Sequence, residues 1–271
     1  MYKIIACDLD ETLLSTDRHV SRRNVDAIRA AGARGVKFVP ATGRGYKTVA
    51  GTLEELGLYQ QPDEYVISFN GGAISENRDD RVLHFEALPF ALAEKLYQCG
   101  LEYDVCIHVY TREDVYAWNL FPQEKAYLEG RNPIIEITDT DLQFLKGREI
   151  VKILYANTDT AYLRQIAEDL HEVTDGLDVS YSSGRYIEFN HGGVNKGAGL
   201  VRLADMLGVD PGDTIAIGDN FNDLSMIRDA GLGVGVANVA DELRSECDYI
   251  CSADHDHDAI AEVIEKFILN L

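Results

Sequence analysis

Apolar residues fall in short runs broken by polar and glycine-marked positions, and their spacing changes twice along the chain. Lys3 to Cys7 is an apolar run that stops at Asp8, which predicts a buried strand. Ser21 can cap a helix that places Val25, Ile28 and Ala31 on one face and ends at Gly32 to Gly35. Val36 to Val39 predicts the next strand, followed by Ala41-Thr42-Gly43-Arg44. Tyr46, Val49, Leu53 and Leu56 then recur at helical spacing, and Glu64 to Phe69 predicts a third strand closed by Asn70-Gly71-Gly72. Strand alternating with helix is the rhythm of a parallel, doubly wound sheet.

From about Val82 to Asn190 the predicted strands come in adjacent pairs. Val105 to Thr111 is followed by Val115 to Trp118, and Val179 to Ser182 by Tyr186 to Phe189 across the hairpin signal Ser183-Gly184. Helices are expected near Pro89 to Gln98 and Thr160 to Glu172. The alternating rhythm resumes with a helix from Asn195 to Leu207, a strand Thr214 to Ile217 and a helix Asn222 to Ala230. Strands Gly233 to Val236 and Asp248 to Cys251 follow, and then a helix Ala259 to Leu269. The expected architecture is an α/β protein: a Rossmann-like core over 1–82 and 190–271, with an inserted α+β cap over 83–189.

Charge and cysteine content narrow the function. The chain has 271 residues and a formal net charge of −21, from 25 basic and 46 acidic residues. Such a surface repels nucleic acid and anionic membrane, so neither is an expected partner. A site for an anion must draw on local Lys, Arg or metal charge. Five cysteines without regular spacing fit a reducing, cytoplasmic setting. No secretory leader fits the first residues, and there is no apolar run of 18. Oligomeric state is not readable.

Chemistry gathers on four loops that follow strands or open helices, the place where sites collect in open parallel sheets. Asp8 and Asp10 are two apart on an extended chain and point to one side. Thr42, Lys196, Asp219 and Asp223 come from the other three loops. Four carboxylates so close would raise one another's pKa values. A hard divalent cation relieves that, and Mg²⁺ is the usual choice where phosphate is handled, with Asp8 and Asp219 as natural ligands. One carboxylate facing phosphorus with a second two residues on suits two-step phosphoryl transfer.

DLDETLL (8–14), ATGR (41–44), NKG (195–197) and GDNFND (218–223) resemble, in order, the four motifs of the haloacid dehalogenase superfamily. The NGG turn, the IEFNHGGVNKG run and the cap-sized insertion are similar to the Cof-type sugar- and metabolite-phosphate phosphatases. The resemblance spans essentially the whole chain. It implies Asp8 as the nucleophile that becomes an aspartyl phosphate. Asp10 would be the general acid/base, with its backbone carbonyl on Mg²⁺. Thr42 with Gly43, Lys196 and Asn222 would lie at the phosphate, and Asp219 and Asp223 at the metal. The implied substrate is a small phosphorylated metabolite. Glu11 stands where the family most often has glycine.

Two other functions fit parts of this pattern. A phosphomutase or phosphotransferase would use the same core, and a phospho-acceptor switch needs an aspartate after its first strand but neither Asp10 nor a cap. Arg44 either touches substrate or pairs with a surface carboxylate. Cys247, Cys251, His255 and His257 fit no zinc-finger spacing well, and Cys251 reads as part of the last core strand. Tyr110, Tyr116, Trp118 and Phe121 are expected mainly in the cap's own core.

Overall fold

Four-residue strands β1 (Ile4–Cys7) and β2 (Lys37–Pro40) run parallel, in register from Ile4 against Lys37 to Cys7 against Pro40. The helix between them, α1 (Arg22–Gly32), is capped as expected: the Ser21 hydroxyl accepts from the Asn24 amide. A single 3₁₀ turn over Tyr46–Val49 leads into α2 (Ala50–Leu56), which ends at Gly57 with a left-handed φ of 74°. The computed structural model describes residues 1–130 and 133–270.

The third strand, β3 (Tyr65–Ser68), departs from the expected parallel pairing. It touches the core sheet through one parallel bridge, Ala41 to Ile67, and otherwise pairs antiparallel with β4 (Ala73–Glu76), which pairs with β5 (Arg81–Phe85). Left-handed backbone at Phe69, Asn70 and Gly71 reverses the chain there. Gly71 has a second reason to be glycine, because a Cβ would sit 2.2 Å from the carbonyl oxygen of Asn195. The NGG turn is thus a hairpin packed on the residue that caps the Lys196 helix.

Glu86–Val194 form a separate compact unit. In order it contains α3 (Phe90–Gly100), β6 (Cys106–Thr111), β7 (Val115–Trp118), α4 (Pro122–Leu128) and β8 (Ile135–Ile137). Then come β9 (Ile150–Ala156), α5 (Thr160–Asp169), α6 (His171–Thr174), β10 (Asp178–Ser182) and β11 (Tyr186–Asn190). These strands make one sheet, ordered β10-β11-β9-β6-β7-β8, antiparallel except for β7 with β8. Its apolar face carries Ile107, Val109, Ile153, Tyr155, Ile187 and Phe189, packed with Leu96, Leu163 and Ile166 of the helices. Tyr116 is buried in this cluster, and Tyr110 is buried outside it, beside Lys152. The long strand β9 lies inside the sheet, between β11 and β6, where the sequence pattern predicts no strand.

The other unit, Met1–Phe85 with Asn195–Leu271, closes with α7 (Lys196–Leu207), β12 (Thr214–Gly218), α8 (Leu224–Asp229), β13 (Leu232–Gly235), β14 (Tyr249–Ile250) and α9 (Ala259–Ile264). Its parallel sheet is ordered β14-β13-β12-β1-β2. Alternate residues go to opposite faces. Ile5, Cys7, Phe38 and Ile217 pack with Val25 and Ile28 of α1 and Ile260 and Val263 of α9. Ile4, Ala6, Val39 and Ala216 pack with Leu200 and Leu203 of α7 and Met226 of α8. Helices on both faces make this the doubly wound α/β core that the pattern predicts. No described helix is long and apolar enough to cross a membrane.

Candidate active site

Asp8 is the first residue beyond β1 and is held there by its amide, which donates to the Ile217 carbonyl at 2.9 Å. The alternation that turns Ile4 and Ala6 toward α7 carries on into Asp8. Its carboxylate accepts from the Lys196 ammonium at 2.5 Å. Lys196 is the first residue of α7 and is fully buried. The Asn195 side chain caps that helix by accepting from the Ala198 amide, which fixes where the lysine starts.

The same ammonium donates to Asp223 Oδ1 at 2.6 Å. The other Asp223 oxygen accepts from the amides of Asp219 and Asn220 at 3.0 and 3.1 Å. Asp223 therefore ties the lysine to the loop that presents Asp219. Gly218 makes room for it, since a Cβ there would lie 2.5 Å from the Asp223 side chain. Asn222 is half-buried on the same short turn, Phe221–Asp223. Carboxylate oxygens of Asp8, Asp219 and Asp223 all lie within 4.8 Å of one another, and all three residues are buried.

Such crowding has an electrostatic cost. Burial, helped by the charges of Asp223 and Asp10 and opposed by Lys196, pushes Asp8 up to about 7. Burial and the charges of Asp8 and Asp223 push Asp219 up to about 9, against the Thr12 hydrogen bond. For Lys196, burial works against the charge, but Asp223 and Asp8 together outweigh it and the net shift is upward. Three buried carboxylates and one ammonium leave a surplus of negative charge with oxygen donors only, a donor set that fits a hard cation such as Mg²⁺.

Asp10 is partly exposed and is gripped by Arg44, whose Nε donates to Oδ2 at 2.8 Å while a terminal nitrogen donates to Oδ1. Arg44 thus pairs with a carboxylate of the motif cluster rather than with a remote surface acid. Buried Thr42 orients this arm, its hydroxyl accepting from the Arg44 amide at 3.1 Å, and Gly43 lies between them. Glu11 takes a left-handed φ of 62° with its side chain exposed, a conformation in which glycine is at ease. Thr12 carried no assignment from sequence, yet it is fully buried and its hydroxyl donates to Asp219 Oδ1 at 2.7 Å. Its place in the motif was the available signal. Cys251 is buried in the core, and among the described residues no group of close donors brings it together with Cys247, His255 and His257.

A family model for haloacid dehalogenase-like hydrolases matches residues 5–264. The chain is 30% identical over 275 residues to "Putative phosphatase YxeH" of Bacillus subtilis, covering 99% of both chains. It is 28% identical to the 5-amino-6-(5-phospho-D-ribitylamino)uracil phosphatase YcsE of the same organism, covering 98% of this chain and 96% of that one. A solved haloacid dehalogenase-like hydrolase from Bacteroides thetaiotaomicron superposes with a TM-score of 0.83 at 29% identity, over 99% of this chain and all of that one. The chain belongs to the haloacid dehalogenase superfamily, in its Cof-type branch, and is a phosphoric monoester hydrolase.

Proposed function

We propose that this phosphatase hydrolyses small phosphorylated metabolites, sugar phosphates or similar, through an aspartyl phosphate on Asp8, with Mg²⁺ as cofactor. The observation that carries the reading is the buried Asp8 carboxylate, salt-bridged to Lys196 within a cluster of three carboxylates whose oxygens lie close enough to share one cation. Asp8 and Asp219 would hold the metal, with Asp223 and the Asp10 carbonyl contributing. Mg²⁺ supplies, when bound, positive charge that keeps the carboxylates ionised and offsets charge on the phosphoryl oxygens.

In the first half-reaction Asp8 attacks phosphorus and the ester oxygen leaves with a proton from Asp10. Lys196 offsets the charge that builds on the transferring group, and Thr42, the Gly43 backbone and Asn222 bind its oxygens. In the second, Asp10 takes a proton from water as that water attacks phosphorus, releasing phosphate and restoring Asp8. Both Asp10 oxygens accept from the Arg44 fork, and each keeps a second lone pair through which a proton can be carried. The inserted unit Glu86–Val194 would supply substrate selectivity. The named activity of YcsE, on a phosphorylated ribitylamino compound, supports a polyhydroxylated phosphoester as the substrate class.

The test is hydrolysis of p-nitrophenyl phosphate and a panel of phosphorylated metabolites by purified enzyme. Activity with Mg²⁺, its loss in excess chelator and its return on adding Mg²⁺ are expected. Ca²⁺, which prefers more ligands at longer distance, should support it poorly. Full activity in chelator would overturn the metal assignment.

A further inference from the structure

We infer that Thr12 is a positioning residue for Asp219, and that the left-handed turn at Glu11, pinned by Asn238, sets the approach of its hydroxyl. The inference rests on the metal reading above. Thr12 and Asp219 are 207 positions apart, at the ends of the adjacent strands β1 and β12, and their hydrogen bond is buried. With Thr12 donating to Oδ1, the Asp219 carboxylate is held against free rotation and Oδ2 stays outside that bond.

The hydroxyl reaches that position because the chain between Asp10 and Thr12 turns sharply. The amides of Leu13 and Leu14 both donate to the Leu9 carbonyl, closing a tight loop whose one left-handed residue is Glu11. A side-chain-bearing residue does not favour that conformation, so the turn needs an anchor. Asn238 provides one: its amide donates to the Glu11 carbonyl at 2.8 Å while its oxygen accepts from the His255 amide at 3.1 Å. The segment carrying Asn238 also holds Asp219 directly, because the Ala240 amide donates to the Asp219 carbonyl at 2.9 Å. One loop after β13 therefore braces the two acidic loops against each other, from outside the carboxylate cluster.

The decisive variant is Thr12→Val, which keeps the shape and removes the hydroxyl. Mg²⁺ affinity, read by titration calorimetry as well as by metal dependence of activity, should weaken by about 10–100-fold, the usual cost of losing such a support. The KM for p-nitrophenyl phosphate at saturating Mg²⁺ should move less than about twofold, because Thr12 touches no substrate. Thr12→Ser should restore most of the affinity. Asn238→Asp, at an exposed position, keeps the acceptor for His255 but loses the donor to Glu11; it should weaken Mg²⁺ binding about threefold to tenfold, and it carries the test if Thr12→Val does not fold. Unchanged affinity in Thr12→Val, or in Asn238→Asp where that variant stands in, overturns the assignment while leaving the phosphatase reading intact. Absence of Mg²⁺ binding by the unaltered protein overturns the metal reading, and this assignment with it.

Discussion

Each of the two units buries a lysine against carboxylate, and the difference between the two arrangements separates structure from chemistry. In the inserted unit Lys152 donates to Glu188, whose other oxygen accepts from Ser182 at 2.5 Å, and the ammonium lies 4.6 Å from the centre of the Tyr110 ring. Lys152 and Glu188 are paired directly, and both are 2% exposed. At the β1 end of the core unit, Lys196 faces Asp8 and Asp223 with Asp219 close by. The first pair can be buried because charge and hydrogen bonds close locally. The second is left with more carboxylates than protein cations, the imbalance on which the proposed metal and phosphoryl site rests.

The comparison breaks most sharply at Asp8. Asp8→Asn removes the attacking oxygen and should drop turnover to background, with no phosphoenzyme trapped on acid quench. Asp10→Asn keeps the nucleophile and removes the proton donor and later base. With p-nitrophenolate, a leaving group that needs little protonation, it should give a burst of at most one product per enzyme. Turnover should then be slower by about 10²–10⁴-fold, with the trapped phosphoryl group on Asp8. Steady turnover at the unaltered rate would contradict the two-carboxylate mechanism.

The pair in the inserted unit should respond in stability instead. Lys152→Met strands the buried Glu188 charge and should cost about 3–5 kcal/mol in denaturant unfolding. Adding Glu188→Leu should recover most of that loss, since an apolar pair of similar volume can replace a buried ion pair. Hydrolysis of p-nitrophenyl phosphate per folded molecule should stay within about twofold throughout. A rate collapse without loss of stability would place Lys152 with Lys196 in function and dissolve the contrast.

What could be read from sequence follows the range of the forces involved. The helix that Ser21 opens and the one that Asn195 opens depend on capping within three residues, and both form where expected. The pairing of β3 depends on left-handed backbone at Phe69 and Asn70 and on contact with Asn195, more than a hundred residues away, which no local period encodes. Strand β9 was missed because Lys152 interrupts an apolar run and finds its partner on a strand beyond two helices. At the site, the residue types and their order were legible from the motifs. The Arg44 grip on Asp10 and the Thr12 support of Asp219 were not, because each depends on how separate loops meet.

The smallest expected effect concerns the surplus charge itself and is seen in melting temperature. Burial first, and neighbouring carboxylates second, raise Asp8 to about 7 and Asp219 to about 9, well above the ordinary aspartate value near 3.8. A carboxyl with a raised folded pKa holds its proton in the folded state after the unfolded chain has released it. Its contribution to stability is then present below the unfolded pKa and is lost as pH rises through the folded one. In excess chelator the melting temperature should therefore decline from pH 5 toward pH 9. Mg²⁺ at roughly 100 times its Kd adds about 2.7 kcal/mol, or about 5–10 °C for a chain of this size. That gain should be largest near pH 8 and less than half as large near pH 5, where protons compete for Asp8 and Asp219. Asp219→Asn should flatten both trends, whereas Glu188→Gln in the other unit should leave the Mg²⁺ shift as it was. An Mg²⁺ shift of equal size at pH 5 and pH 8 would mean that the cation does not bind at the crowded carboxylates.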